Sequence, residues 1–314
     1  MTPLVSTVIP VFNGARYVVQ TIESVLAQTY RPIEIVVIDD GSTDESPEIL
    51  ARYGDGIRLI RQANQGVGAA RNRGILAAQG EYVAFLDQDD WWYPEKIKRQ
   101  IDAVAVSGAG LVHTQTVYFD DVAQAFCPPL DPEARPEEYV GWCFEKLLFG
   151  NAICNSSVLV RRDLFAQVGL CDLVIEGNTV QDYDLWLRLA RVTPFAFVPE
   201  PLTVFRLHPH QGTVNRRMML REQIKVLQRR LPGLPVPLRH AVTHRLAHLY
   251  DLLGSFELDY QDHRAARWAF GRSFRCQPHV RTLCLWFVTF LSPRGVAQLR
   301  NLHARWKGGK KKSH

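Results

Sequence analysis

Residues 81–94 read EYVAFLDQDDWWYP, and this stretch decides the fold. Tyr82-Val83-Ala84-Phe85-Leu86 is a short, nearly all-apolar run, which suits a strand buried on both faces of a parallel sheet. Three carboxylates, Asp87, Asp89 and Asp90, follow at once, and then Trp91, Trp92 and Pro94. Like charges this close raise one another's pKa unless a cation offsets them. A hard divalent ion, Mg²⁺ or Mn²⁺, answers that need, because it takes oxygen ligands and keeps positions open for substrate phosphates. In open α/β sheets ligands also sit outside the carboxyl ends of strands, where this cluster falls.

The residues before this stretch repeat one theme. Residues 4–11 are β-branched and apolar, a buried strand ending in Pro10-Val11-Phe12-Asn13-Gly14, and Val18, Ile22, Val25 and Leu26 then recur at helical spacing. A second buried strand, IEIVVI at 33–38, runs into Asp39-Asp40-Gly41-Ser42-Thr43-Asp44, a turn rich in capping residues that opens a helix near 45–53. A third strand at 57–60 leads to Asn64-Gln65-Gly66-Val67-Gly68 and a helix reaching about residue 78. This alternation predicts a mostly parallel sheet with helices on both sides. Gly66-x-Gly68 does not make it a dinucleotide fold: the fingerprint needs a third glycine where Arg71 stands, and the first βα turn carries Pro10 and Asn13 instead of a Gly-rich loop. That same turn, Asn13-Gly14-Ala15-Arg16, lacks the Gly-rich, Lys-bearing loop of a nucleotidyltransferase.

Composition narrows the class. With 314 residues, 46% of them hydrophobic, the chain buries a large core, and its net charge of +5 does not call for nucleic acid. Six cysteines without CxxC spacing argue against a zinc module or a disulfide scaffold and fit a reducing compartment. The start MTPLVSTVIP has no charged segment followed by an apolar one, and no apolar run reaches the roughly 18 residues of a membrane span. The expected location is cytoplasmic, with peripheral attachment at the inner membrane face as a further expectation.

Taken together, VSTVIPVFNGARYVVQTIESVLAQTY, EIVVIDDGSTD, NQGVGAARNRGI and EYVAFLDQDDWWYPEK resemble the N-terminal half of family 2 glycosyltransferases of the GT-A fold. The likeness continues through GNAICNSSVLVRRDLF at 150–165, QDYDLWLRLA at 181–190 and FRLHPHQGT at 205–213, covering roughly residues 4–215 in the family's order. The resemblance implies an inverting, metal-dependent transfer of sugar from a nucleoside-diphosphate donor to a saccharide or lipid-linked acceptor, as in polysaccharide or glycoconjugate synthesis. It places Pro10 and Phe12 beside the nucleotide base, Asp40 on the base's ring N–H, and Arg71 on a phosphate or the base. An acceptor at Asp40 favours uracil or thymine, whose imide offers a donor between two carbonyls. Asp87 falls near the ribose, and Asp89 or Asp90 meets the metal, with His208 as a further ligand or a diphosphate contact. Trp91 and Trp92 are candidates for the wall of the sugar or acceptor pocket, one of them being expected in the core. Asp182 is the expected general base, at the start of a helix whose amides favour a carboxylate; the common motif has Glu where this chain has Gln181. A catalytically silent nucleotide-sugar binder of the same fold would be marked by loss of the metal or base carboxylate, and both are present.

Past residue 215 the strand pattern stops, giving an expected division into a 1–215 GT-A domain and a 216–314 helical region. Residues 217–231 read as a basic amphipathic helix, 232–237 (PGLPVP) as a turn, and 246–278 as a helix pair loosely like one tetratricopeptide repeat. His240, His244 and His248 form a row at i, i+4 and i+8, but Arg239 and Arg245 repel a cation and the row reads as a solvated stripe. The apolar run LCLWFVTFL at 283–291, followed by Arg294, Arg300, Arg305, Lys307, Lys310, Lys311 and Lys312, suits an interfacial or buried helix.

Overall fold

A computed structural model describes residues 2–129, 131–174, 180–209, 211 and 216–290. The basic tail from Arg294 to Lys312 and the end of the apolar run, Leu291, lie outside the described residues. The chain divides into two compact units, Met1–Val214 and Asn215–His314.

In the first unit the strands are β1 (Val5–Val11), β2 (Ile33–Asp39), β3 (Arg58–Arg61), β4 (Tyr82–Phe85), β5 (Trp91–Trp92), β6 (Leu111–Asp120), β7 (Ala125–Cys127), β8 (Leu159–Arg161) and β9 (Phe195–Leu207). The helices are α1 (Val18–Leu26), α2 (Ser46–Ala51), α3 (Val67–Ala77), α4 (Lys96–Ser107), α5 (Phe144–Leu147), α6 (Leu164–Val168) and α7 (Gln181–Leu189). One sheet runs β3-β2-β1-β4-β8-β6-β9-β5, with β7 paired to β6. The first four strands are parallel, as βαβ alternation requires. β8 then enters antiparallel between β4 and β6, and β5 runs antiparallel to β9. The sheet is therefore mixed: it keeps the parallel βαβ part expected from the sequence, and β6 and β9 also pair in parallel.

β1 is buried along its whole length and pairs on both sides, so its β-branched residues fill the space between two helical layers. Val18, Ile22 and Val25 of α1 pack with Ile9, Val37 and Leu86 in the main core. On the other face, α3 approaches β1 so closely that a Cβ at Gly74 would overlap the Val8 side chain. Val8 and Ile9 alternate across the strand, so the helix that β1 holds on each face is set by period-2 geometry. All six cysteines are free.

The second unit consists of α8 (Arg216–Arg230), α9 (Val236–Asp259), α10 (His263–Cys276) and α11 (Val280–Val288). α9 and α10 form a hairpin: a Cβ at Gly254 would meet the Phe270 ring, and Ser273 Oγ donates to Ala247 O at 2.9 Å. Asp262 caps α10 by accepting the Ala265 N–H at 3.0 Å. Glu257, wholly buried, is held by Arg217 and Arg221 of α8. The row His240, His244 and His248 is exposed. Trp286 and Leu285 of α11 pack against Phe270 and Ala266, while Leu283, Phe287 and Phe290 are exposed. The apolar run read from the sequence is thus buried on one side only. Among the described residues no helix is long and apolar enough to cross a membrane.

The α3–β1 contact yields a test. Gly74→Ala forces a methyl into Val8 and is expected to lower stability by about 1–3 kcal/mol. Gly56→Ala, where nothing lies within 4 Å, is the control. Thermal unfolding of both variants checks this, and equal midpoints would contradict the packing described.

Candidate active site

Strand β4 delivers Asp87, Asp89 and Asp90 to one turn, closed by Asp90 N–H donating to Asp87 O at 3.1 Å. Thr21 of α1 braces it, its hydroxyl 2.7 and 2.8 Å from the Gln88 and Asp90 carbonyls. Gln88 points outward to the loop after β1, where it accepts the Phe12 N–H and donates to Phe12 O at 2.8 and 3.1 Å. The three carboxylates then meet three different fates.

Asp90 is 1% exposed. Its Oδ2 lies 2.5 Å from Ser156 Oγ and its Oδ1 accepts the Arg206 backbone N–H at 3.0 Å. Burial first, and then the charges of Asp89 and Asp87, push its carboxyl well above the usual range. Asp90 is one of the two expected metal ligands, and both of its oxygens are engaged beneath the turn. Arg206 of β9 ties the region together. Its Nε donates to Asp89 O at 2.8 Å, one Nη donates to Asp121 at 2.8 Å and the other to Gln20 at 2.5 Å. The guanidinium lies over the rings of Tyr17 and Trp91, 4.7 and 4.6 Å from their centroids. Trp91 is thereby part of the Arg206 cage. Trp92 is 3% exposed and donates its Nε1–H to Ser156 O, so it is core and walls no pocket.

Asp87 Oδ1 accepts from Arg71 Nη2 at 2.7 Å and from Asn155 Nδ2 at 3.0 Å. Arg71, on the first turns of α3, is 6% exposed, and its Nε has no partner. The N-terminus of α3 meets that of α7, where a Cβ at Gly68 would overlap the Gln181 side chain. This brings Asp182 into the field of Arg71. Burial raises the Asp182 carboxyl to about 6, with the Arg71 charge and the Tyr183 N–H pulling the other way. The Tyr183 N–H donates to Asp182 Oδ1 at 2.7 Å. Asp87, Arg71 and Asp182 thus form one row from the strand end to the helix end.

The expected base-binding residues are arranged differently. Asp40 is 2% exposed and accepts three donors: Gln62 Nε2 at 2.8 Å, Gln65 N at 2.9 Å and Gly66 N at 2.8 Å. It pins the loop leading into α3, with Gly66 at φ 88°, a conformation that favours glycine. Its neighbour Asp39 accepts from Ser42 N and Arg61 Nε. Pro10 is buried inside β1, whereas Phe12 is 43% exposed and presents its ring. Of the three residues expected at the base, Pro10 and Asp40 are buried and Phe12 faces outward.

His208, just beyond β9, places Nε2 2.9 Å from Asp89 Oδ2, and its buried Nδ1 has no partner. Among the described residues no three His, Cys, Asp or Glu side chains gather to hold a metal ion. Two donors cis on an octahedron with bonds of about 2.1 Å lie about 3 Å apart. The Asp89–His208 edge fits that spacing, and Mg²⁺-type ions commonly take one or two protein ligands and complete their shell with phosphate and water. Reading the sequence alone missed Asn155, Ser156 and Asp121. The Asn155-Ser156-Ser157 run was visible, but its partners lie 66–69 residues away.

Residues 6–165 match the family described as glycosyl transferase family 2. An uncharacterized glycosyltransferase of Rickettsia typhi is 36% identical over 224 residues, covering 68% of this chain and 66% of that protein. The chain spans between 31% and 66% of the length of the Rickettsia relatives it matches. Among solved structures, Staphylococcus aureus TarS superposes with a TM-score of 0.66 at 16% identity, over 90% of this chain and 50% of TarS. TarS has also been solved with UDP and with UDP-GlcNAc. The mannosyltransferase PcManGT of Pyrobaculum calidifontis, in complex with GDP-Man and Mn²⁺, superposes with a TM-score of 0.61 at 18% identity, over 97% of this chain and 80% of that one. The architecture is a GT-A-like α/β fold followed by a helical C-terminal region.

If Arg206 holds the turn, Arg206→Met strips a buried charge from Asp121. The expected loss is about 3 kcal/mol, the low end for a broken buried pair, because Arg16 and Tyr17 still reach Asp121. Denaturant unfolding measures it, and a loss below about 1 kcal/mol would contradict the role given to Arg206.

Proposed function

The chain belongs to glycosyl transferase family 2, and we propose that it moves a sugar from a nucleoside-diphosphate donor to an acceptor hydroxyl, with inversion at the anomeric carbon. The observation that carries this reading is the grouping of Asp87, Arg71 and Asp182, which sets a carboxyl of raised pKa within the field of a buried cation at the end of a parallel strand. Asp182, once ionised, takes the proton of the acceptor hydroxyl. The acceptor oxygen's electron pair forms the new bond to the anomeric carbon as the bond to the diphosphate oxygen breaks, and the nucleoside diphosphate leaves. A single displacement with one base inverts the configuration. Arg71, through its unpartnered Nε–H, holds an oxygen of the diphosphate, and Asp87 stays fixed toward the ribose by Arg71 and Asn155. Asp89 and His208 are the residues that would hold Mg²⁺ or Mn²⁺, which supplies Lewis-acid stabilisation of charge on the leaving diphosphate.

The base rests against Phe12. Of the roughly four lone-pair sites of the Asp40 carboxylate, three are taken, leaving one for an imide N–H. UDP or dTDP is therefore the favoured donor nucleotide, and guanine, which also carries a ring N–H, is the next. A cavity of about 670 Å³ lined by Tyr93, Tyr118, Phe126 and Leu202 suits an apolar group, as a lipid-linked acceptor carries.

Three measurements follow from these assignments. Asp182→Asn is expected to bind donor normally and to lose roughly 10²–10⁴ in turnover. A base of pKa about 6 works only when ionised, so kcat/KM falls tenfold per pH unit below about 6 and is level above it; a flat profile from pH 5 to 8 would remove Asp182 as base. Calorimetry of nucleoside diphosphates with Mn²⁺ separates the aspartates. Asp89→Ala and His208→Ala lose the metal-dependent part of binding, whereas Asp90→Asn, which preserves the shape of a neutral carboxyl, retains it. The same titration ranks UDP or dTDP above GDP and ADP, and ADP in first place would end the role of Asp40.

A further inference from the structure

The outer face of α10 carries Arg264, Trp268 and Arg272 at i, i+4 and i+8, which aligns them in one stripe, with Arg267 and Arg275 alongside. These residues and Trp286 of α11 line a shallow groove of about 270 Å³. None of the four arginines pairs with an acidic side chain among the described residues, whereas Arg217 and Arg221 of α8 share Glu257, and Arg217 also meets Asp262. Positive charge without an acidic partner thus gathers on this face. That face is also aromatic: Trp268 is 56% exposed, Phe287 58% and Phe290 54%. The rings form a connected edge, Trp286 lying 5.2 and 4.9 Å from Phe287 and Phe290, and Arg267 stacks 3.6 Å over Phe290.

We propose that the α10–α11 face docks on a bilayer of anionic phospholipid, its arginines taking headgroup phosphates and Trp268, Phe287 and Phe290 entering the interface. Charge complementarity selects the anionic leaflet, where each basic side chain near the surface adds to attraction. The aromatic edge selects a bilayer over a soluble polyanion, because exposed Trp and Phe gain nothing from a fully hydrated anion but bury apolar area at the headgroup–acyl boundary. The surface differs from the basic tail beyond residue 291 as a site of attachment, since it lies on α10 and α11 and mixes both residue types.

The test is co-sedimentation of the full chain with phosphatidylglycerol–phosphatidylcholine vesicles against phosphatidylcholine alone. Wild type is expected to pellet with the anionic vesicles, less so as salt rises, and not with phosphatidylcholine. The triple variant Arg264→Glu, Arg272→Glu, Arg275→Glu keeps the tail intact and is expected to bind about tenfold or more weakly. Far-UV circular dichroism confirms its fold. Should that variant not fold, brominated-lipid quenching reads the same contact in wild type and in Trp268→Phe: quenching is expected in wild type and reduced in the variant. Undiminished pelleting of the folded triple variant would assign attachment to the tail and overturn the proposal. No vesicle binding by wild type, or binding of polyphosphate with no quenching by brominated lipid, would overturn it as well.

Discussion

Three aspartates within four residues at the end of a buried strand are the constraint on which the rest of the first unit depends. Left alone, they would repel one another and unfold the turn or protonate. The fold assigns each a different partner from a distant part of the chain. Asp87 receives Arg71 of α3, Asp89 receives His208, and Asp90 is sealed under the turn by Ser156 and the Arg206 backbone. Meeting those partners requires β9 to come back beside β5, and β8 to slide antiparallel between β4 and β6. The switch in strand direction is thus linked to how the carboxylates are satisfied.

The partners do not satisfy the aspartates equally. Asp90 has both oxygens engaged and no exposure, which makes it a foundation. Asp87 and Asp89 keep side-chain exposure of 26% and 20%, and each meets its partner, Arg71 or His208, through a single oxygen. Arg71 and His208 in turn each hold a buried nitrogen without a partner. Unpartnered donors and half-used carboxylates on one rim are costly in a folded protein unless a ligand completes them. We propose that an anionic diphosphate and a divalent ion complete this rim, with the raised Asp182 carboxyl within the field of Arg71.

Much of this was legible in the sequence, for local reasons. The apolar runs of β1, β2 and β4 and the capping-rich turns between them are short-range signals, so the βαβ frame and the position of the carboxylate turn could be read directly. Asp182 at a helix start was also within reach, as was a core place for one of Trp91 and Trp92, though not which one, each depending on neighbours a few positions away. The rest lies in pairings that no local pattern encodes. Arg206 and Asp90 are 116 residues apart, and His208 and Asp89 119. A short apolar run such as β8 has the same period whether it enters parallel or antiparallel, so the sheet's change of direction was invisible. Asp40 is the opposite case: its motif was plain, but the three loop donors 22–26 residues on that take up most of its carboxylate were not.

The central claim is that the Asp89–His208 edge and Arg71 together receive a metal-bound nucleoside diphosphate. Electron paramagnetic resonance of Mn²⁺ during titration with the protein tests it most directly, because free ion gives a sharp six-line signal that is lost on binding. The account predicts weak binding of Mn²⁺ alone, since the protein offers two ligands, and tight uptake when UDP or dTDP is added. Mn²⁺ signals unchanged by the protein in the presence of UDP, dTDP or GDP would contradict it.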